Sequence, residues 1–136
     1  MDTQNLQEFK SLQNLQEFKS LLLKNFPNIY KSYSDISVDY GWQNIVYQLS
    51  DKAEQHNRNI TVHQVTQELG GLRFYYSPED AIINGLLYDA VKEASKTCEK
   101  CGQKGILLNN EGVLSVLCQF HHNQMNHIKN SKYPKI

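Results

Sequence analysis

The segments Cys98-Glu-Lys-Cys101-Gly102 and Cys118-Gln-Phe-His121 contain all three cysteines of this chain, and sixteen residues separate Cys101 from Cys118. Each segment places two metal-ligating side chains three positions apart, and the residues between the segments are sufficient for a small hairpin. Three thiolates and one imidazole at this spacing are typical of tetrahedral zinc. The sequence therefore predicts that Cys98, Cys101, Cys118 and His121 bind one zinc ion.

The fourth ligand is open among three histidines. His121 gives the second pair the same spacing as the first, while His122 and His127 follow closely as alternatives. With any of them the protein supplies four ligands, and a closed shell leaves no coordination position for an activated water. We therefore expect a structural zinc ion and no catalytic residues.

The residues around the cysteines predict a small zinc-binding module. Turn residues at 103–105 and 109–112 each precede a short apolar segment, at 106–108 and 113–117 respectively. A helix should follow over about 119–129. Knuckle, hairpin and helix in this order are typical of a treble clef. A zinc ribbon with two knuckles is the alternative.

Upstream of the cysteines, the pattern predicts an α+β core in which helices pack on a small antiparallel β-hairpin. Apolar residues between Trp42 and Ala53 recur at helical spacing. The segments 60–65 and 72–76 are rich in β-branched and aromatic residues and should form the hairpin. We expect one helical turn over 66–71 between these strands and a connector over 35–41.

A second helix should begin at Ser77-Pro78-Glu79-Asp80, with the Ser77 hydroxyl as cap and proline at the first position. Its apolar residues continue at helical spacing to about Lys96, so this helix leads directly to Cys98. Gly85 in its interior predicts a close approach by another element.

The N-terminal part contains a duplication, because residues 5–12 recur unchanged as residues 14–21. A shift of nine residues turns a helix by about half a revolution, so the two copies present their Leu/Phe stripes on opposite faces. We expect the second copy to pack on the core. The first copy either extends the helix and meets a partner, such as a second copy of the chain in a homodimer, or frays. The predicted organisation is a helical segment over 1–24, a core over 25–97 and a zinc module over 98–136.

Composition is that of a soluble globular protein, and no apolar run is long enough to span a membrane. The N-terminus lacks the features of a signal peptide, so we expect a cytoplasmic location. The net charge is zero, but residues 96–136 contain six lysines and two glutamates, a net +4. Lys129 and Lys132 in this segment are candidate contacts to nucleic acid.

Arg73 and Tyr75 should share one face of their strand, with Phe74 and Tyr76 on the other. In one interpretation Arg73 and Tyr75 line a binding surface. In the other, Arg73 pairs with a carboxylate such as Glu68 and the aromatic residues pack against the helix that follows.

Several short motifs occur here in a recognisable order: Gly41-Trp42, Leu69-Gly-Gly-Leu-Arg-Phe-Tyr-Tyr76, Ala94-Ser95, Cys98-Glu-Lys-Cys-Gly102 and Leu117-Cys-Gln-Phe-His121. Together they resemble a family of small bacterial and phage zinc-knuckle proteins that has no established activity. The resemblance covers roughly residues 25–125 and implies a prophage or mobile-element setting. Gln67 stands where the family pattern has a lysine, so no role of that lysine carries over.

Three functions compete. The first is a non-catalytic protein that binds, or inhibits, a host protein or complex, and the chain has no phosphate loop and no nucleophile elbow that would favour an enzyme. The second is nucleic-acid binding through the basic C-terminal segment. The third is an HNH-like nuclease, but the span from Gly102 to Leu117 lacks the histidine that such enzymes use as a base.

Overall fold

The computed structural model describes residues 15–132, and for residues 126–132 it describes the backbone alone. This part of the chain contains four helices and five strands. In chain order they are α1 (15–25), β1 (Tyr30–Ser37), α2 (Tyr40–His56), β2 (Thr61–Glu68), β3 (Gly71–Ser77), α3 (Ala81–Ala94), β4 (Ile106–Asn110), β5 (Val113–Leu117) and α4 (Gln119–Lys132). The fold is α+β, as the sequence predicts.

The main sheet has three strands in the order β1-β2-β3, and a separate two-stranded sheet joins β4 to β5. β2 and β3 form the predicted antiparallel hairpin, while β1 adds to it in parallel. The expected connector over 35–41 is therefore partly wrong, because residues 35–37 belong to β1. This strand is irregular between Tyr30 and Asp35, and the buried Ser34 donates from Oγ to the carbonyl of Val62 at 2.6 Å.

The helical turn expected over residues 66–71 is wrong. β2 continues to Glu68, and a two-residue turn at Leu69-Gly70 leads into β3 with φ of 53° and 78°. Positive φ at both central residues gives a turn whose twist matches that of the flanking strands. Glu111-Gly112 closes the β4–β5 hairpin in the same way, with φ of 54° and 87°.

The cap of α3 lies three residues after the predicted one. Ser77 ends β3, and Asp80 is the N-cap, accepting from the backbone N–H of Ile82 and Ile83. A hydrogen bond from the Asn57 side chain, together with these N–H groups, lowers the pKa of Asp80 despite some desolvation. The cap therefore also joins α3 to the end of α2.

The core lies between the three-stranded sheet and helices α1, α2 and α3. Trp42, which is 0% exposed, belongs to this core, as the helical spacing predicts. The second copy of the N-terminal repeat packs against this core through the buried Phe18, and Leu22 follows it into the interior. The first copy, which carries the predicted dimer surface, lies outside the described residues.

The first turn of α2 lies directly against the cysteine knuckle. The Gly41 N–H donates to the Glu99 carbonyl at 2.9 Å, and Trp42 Nε1 donates to the Thr97 carbonyl at 2.8 Å. A Cβ on Gly41 would lie 2.0 Å from the Cys98 carbonyl oxygen. Glycine is therefore required here because two backbones meet. Gly85, where the sequence predicts a close approach, has no atom within 4 Å of such a Cβ.

These two glycines make a matched test. Gly41→Ala should lower the free energy of unfolding by at least about 2 kcal/mol, because the new methyl group overlaps backbone that cannot move away independently. Gly85→Ala should raise it by about 0.5–1 kcal/mol, since alanine suits an exposed helix interior better than glycine. Denaturant melts of both variants check this, and equal effects would contradict the packing described.

Candidate metal centre

The knuckle at residues 98–102 is a tight backbone turn. The Cys98 N–H donates to the Gln103 carbonyl at 2.6 Å, and the Gly102 N–H donates to the Cys98 carbonyl at 2.9 Å. Gly102 has φ of +83°, a conformation that favours glycine. The turn brings the side chains of Cys98 and Cys101 to the same side of the loop, as a chelating pair requires.

The second pair of ligands, Cys118 and His121, lies at the junction of β5 and α4. Cys118 follows the last residue of β5, and His121 lies in the first turn of the helix. The His122 N–H donates to the Cys118 carbonyl at 2.9 Å, which fixes this helical turn next to the strand end. The β4–β5 hairpin therefore returns the chain to the knuckle and carries the second pair to the first.

The structure brings the four predicted ligands together. Cys98, Cys101, Cys118 and His121 each offer one ligand atom, and these atoms all lie within 4.8 Å of one another. The two thiols of Cys101 and Cys118 are 3.7 Å apart. His121 Nδ1 lies 3.6 Å from Cys98 Sγ and 3.2 Å from Cys118 Sγ. Four donors converging on one point are compatible with a metal site.

The pKa values of the two partly exposed thiols shift in opposite directions. Burial raises the pKa of Cys101 to about 12, and the neighbouring thiols of Cys98 and Cys118 add to this against a hydrogen bond from the Gln103 N–H. Burial acts in the same direction on Cys118, but the N–H of His121 and the adjacent thiols outweigh it and lower the pKa. Without a metal, Cys101 therefore retains its proton at neutral pH.

His121 is held in the form that a metal ligand needs. Desolvation lowers the pKa of this imidazole, and the positive charge of Lys100 lowers it further. The ring is therefore neutral at pH 7, with a lone pair for a metal. It also meets the Phe120 ring edge-on at 5.1 Å between centroids.

The alternative ligands and the basic candidates lie on α4, and of these the structure describes the side chain of His122. His122, an alternative fourth ligand, is absent from the group of converging donors that the described residues form. The other alternative, His127, and the predicted nucleic-acid contacts Lys129 and Lys132 belong to α4. Their side chains lie outside the described part of the chain.

Arg73 and Tyr75 lie on the exposed face of β3. The Tyr75 hydroxyl donates to Glu68 Oε2 at 3.0 Å, and this hydrogen bond raises the pKa of Tyr75. Glu68 therefore pairs with Tyr75, and the expected ion pair with Arg73 is absent from the ion pairs of the described residues. Phe74 on the opposite face is buried in the core, as predicted.

Glu99, between the two knuckle cysteines, is the important residue that the sequence analysis missed. It is 7% exposed, and its carboxylate accepts from the Gln67 amide at 3.0 Å and from the Val116 N–H at 3.1 Å. The Gln67 amide also donates to the Leu114 carbonyl at 3.1 Å. One buried carboxylate thus joins the knuckle, β2 and β5.

The backbone of Glu99 adds to this junction. Its N–H donates to the Val116 carbonyl at 2.9 Å, and its carbonyl accepts from Gly41. The sequence offers a weak signal for this role, since a charged residue inside a knuckle is usually solvated. Only the register of β5 and the position of Gln67 reveal that this side chain points inwards.

The chain matches no protein-family model, no curated protein and no solved structure. The resemblance to the bacterial and phage zinc-knuckle family therefore stays a prediction. Of the helices that the structure describes, none has the length and apolar character needed to cross a membrane.

Glu99→Ala should lower the free energy of unfolding by at least about 2 kcal/mol, because it leaves the Val116 N–H buried without its acceptor and takes one of the two acceptors of the part-buried Gln67 amide. Glu93→Ala is the matched control. It removes an exposed glutamate from α3 and should change stability by less than about 0.5 kcal/mol. Denaturant melts of both variants measure the free energies of unfolding. A Glu99 variant as stable as the control would contradict the role assigned to the carboxylate.

Proposed function

We propose that this chain is a non-catalytic zinc protein that acts by docking on another protein. The observation that carries the proposal is the convergence of Cys98, Cys101, Cys118 and His121 on one point, next to a knuckle bonded to the core. Four protein ligands complete a zinc shell, and complete shells are typical of structural sites. We assign the module that they hold to the treble-clef type, with knuckle, hairpin and helix in order.

Ligand spacing supports zinc as the metal. With Zn–S bonds of about 2.3 Å and Zn–N bonds of about 2.0 Å, a tetrahedron holds sulfurs about 3.8 Å apart and sulfur and nitrogen about 3.5 Å apart. The Cys101–Cys118 separation is 3.7 Å, and His121 Nδ1 lies 3.6 and 3.2 Å from two sulfurs. Three thiolates with one imidazole also suit zinc better than the oxygen-seeking cations.

An exposed apolar surface supports a protein partner. Leu69 at the β2–β3 turn is 74% exposed, and Leu107 on β4 is 55% exposed. The two belong to one surface, because a Cβ on the adjacent Gly70 would lie 2.5 Å from Leu107 Cδ1 and 3.3 Å from Leu114 Cβ. Contiguous apolar surface of this kind commonly marks a protein interface. By the family resemblance, the partner is a host protein that the chain binds or inhibits.

The purified protein should contain about one equivalent of zinc, and its removal by a chelator should lower the melting temperature, because the metal holds the hairpin and α4 to the knuckle. Zinc should also be released on acidification, since protons compete for the thiolates. Metal analysis and thermal melts measure both effects. Protein that carries no metal and melts unchanged with chelator would overturn the zinc assignment.

Two histidine variants identify the fourth ligand. His121→Ala should lose zinc or bind it far more weakly, whereas His122→Ala, a neighbouring change of the same kind, should retain one equivalent. Loss of zinc from the His122 variant alone would move the fourth ligand to that residue.

The docking proposal is tested by capturing partners from host lysate with the full chain, with and without nuclease treatment. We expect a protein partner that survives the treatment and is lost with Leu69→Lys, which puts a charge on the apolar surface. Ile82→Lys, at a position on α3 that is 58% exposed, should retain it.

Capture that vanishes with nuclease would favour the nucleic-acid alternative instead. Cleavage of a plasmid with added Mg²⁺ or Mn²⁺, lost in His122→Ala, would overturn the non-catalytic assignment and favour the nuclease.

A further inference from the structure

The two edges of the β4–β5 hairpin differ. On the β5 edge, Glu99 bonds to both the N–H and the carbonyl of Val116, and the Gln67 amide bonds to the Leu114 carbonyl. On the β4 edge, no other strand of the described chain pairs with the hairpin, whose sheet has two strands alone. The inner edge is therefore occupied and the outer edge is open.

The register shows which backbone groups the open edge presents. Leu107 lies opposite Val116, and Asn109 lies opposite Leu114. Because Val116 and Leu114 direct backbone groups away from β4, these are non-hydrogen-bonded pairs of the ladder. Leu107 and Asn109 must then direct their own N–H and carbonyl groups away from β5. The outer edge thus offers two donors and two acceptors in a row.

β4 lacks the features that protect the other strand edges of the described chain. β1 contains Lys31 and Asp35 and is irregular between Tyr30 and Asp35, and β3 contains Arg73. β4 has the sequence Ile-Leu-Leu-Asn-Asn, with no charge and no proline. Charges, prolines and bulges are the usual means by which proteins prevent edge-to-edge pairing. Nothing of the kind opposes pairing at β4.

We propose that two copies of this chain associate by antiparallel pairing of their β4 strands, with the two Leu108 residues opposite each other on the two-fold axis. In this register Leu107 of each copy exchanges two hydrogen bonds with Asn109 of the other. All the outward N–H and carbonyl groups of both residues then find partners. The result is a four-stranded sheet in the order β5-β4-β4-β5.

The composition of β4 is compatible with this pairing. β4 itself is uncharged, so antiparallel self-pairing places no like charges opposite each other. The outward N–H and carbonyl groups of Leu107 and Asn109 match those of a second copy, and a two-fold interface makes each such contact twice. This is why we choose a second copy as the occupant of the edge.

The proposal is tested by light scattering coupled to size exclusion over a concentration series. The full-length chain should approach twice its monomer mass of 15.8 kDa. Leu108→Lys and Leu108→Glu should each be monomeric, because like charges meet on the two-fold axis. An equimolar mixture of the two should recover the dimer mass, because opposite charges then meet. Val113→Lys, a charge placed at an exposed position on β5, should remain dimeric.

Leu107→Pro provides a second variant in case charge at the half-buried Leu108 impairs folding. It removes an N–H that the hairpin does not use, so zinc content and circular dichroism should be unchanged while the dimer is lost. A wild-type protein that is monomeric throughout overturns the proposal. A dimer that persists in Leu108→Lys, Leu108→Glu and Leu107→Pro also overturns it and would point to the N-terminal repeat. A mixture of the Lys and Glu variants that stays monomeric overturns it as well.

Discussion

The backbone at Cys98 and Glu99 is the constraint on which the rest of the structure depends. It is held by the first turn of α2 through Gly41, by β5 through Val116 and by the closing residues of the knuckle. The buried Glu99 carboxylate adds β2 through Gln67. A carboxylate leaves water only where donors replace its hydration, and here a backbone N–H and a side-chain amide do so. These contacts determine where the knuckle lies, and hence where a metal would bind.

This arrangement makes the metal centre an extension of the core. Trp42 fills the interior and, through its indole N–H, holds Thr97 immediately before the knuckle. Forces that stabilise the core therefore also position Cys98, and a metal that joins Cys98 to Cys118 holds the hairpin against the core in return. A two-stranded hairpin is only marginally stable alone, so this mutual support is what the hairpin requires.

The sequence predicted the local features and missed those that depend on tertiary contacts. The four clustered ligands, α2 and the β2–β3 hairpin follow from spacing and periodicity, which are encoded in neighbouring residues. β1 was not predicted because its irregular stretch between Tyr30 and Asp35 breaks the alternation of buried and exposed residues. Its polar Ser34 is also buried, where it donates to a carbonyl of another strand. The Leu69-Gly70 turn looked helical because a leucine at positive φ is uncommon. Glu99 was missed because only its distant partners make burial favourable.

At this junction, the side chain that donates to the Glu99 carboxylate from β2 is the uncharged amide of Gln67. A lysine at this position would neutralise Glu99, whereas an amide contributes donors without charge. The amide also reaches the Leu114 carbonyl, so a single side chain bonds both the carboxylate and the hairpin edge. That edge is thereby closed to any other strand, and the exposed edge of β4 remains for association. On the functions proposed here, the metal, Glu99 and Gln67 build the inner side of a hairpin whose outer side makes the contacts.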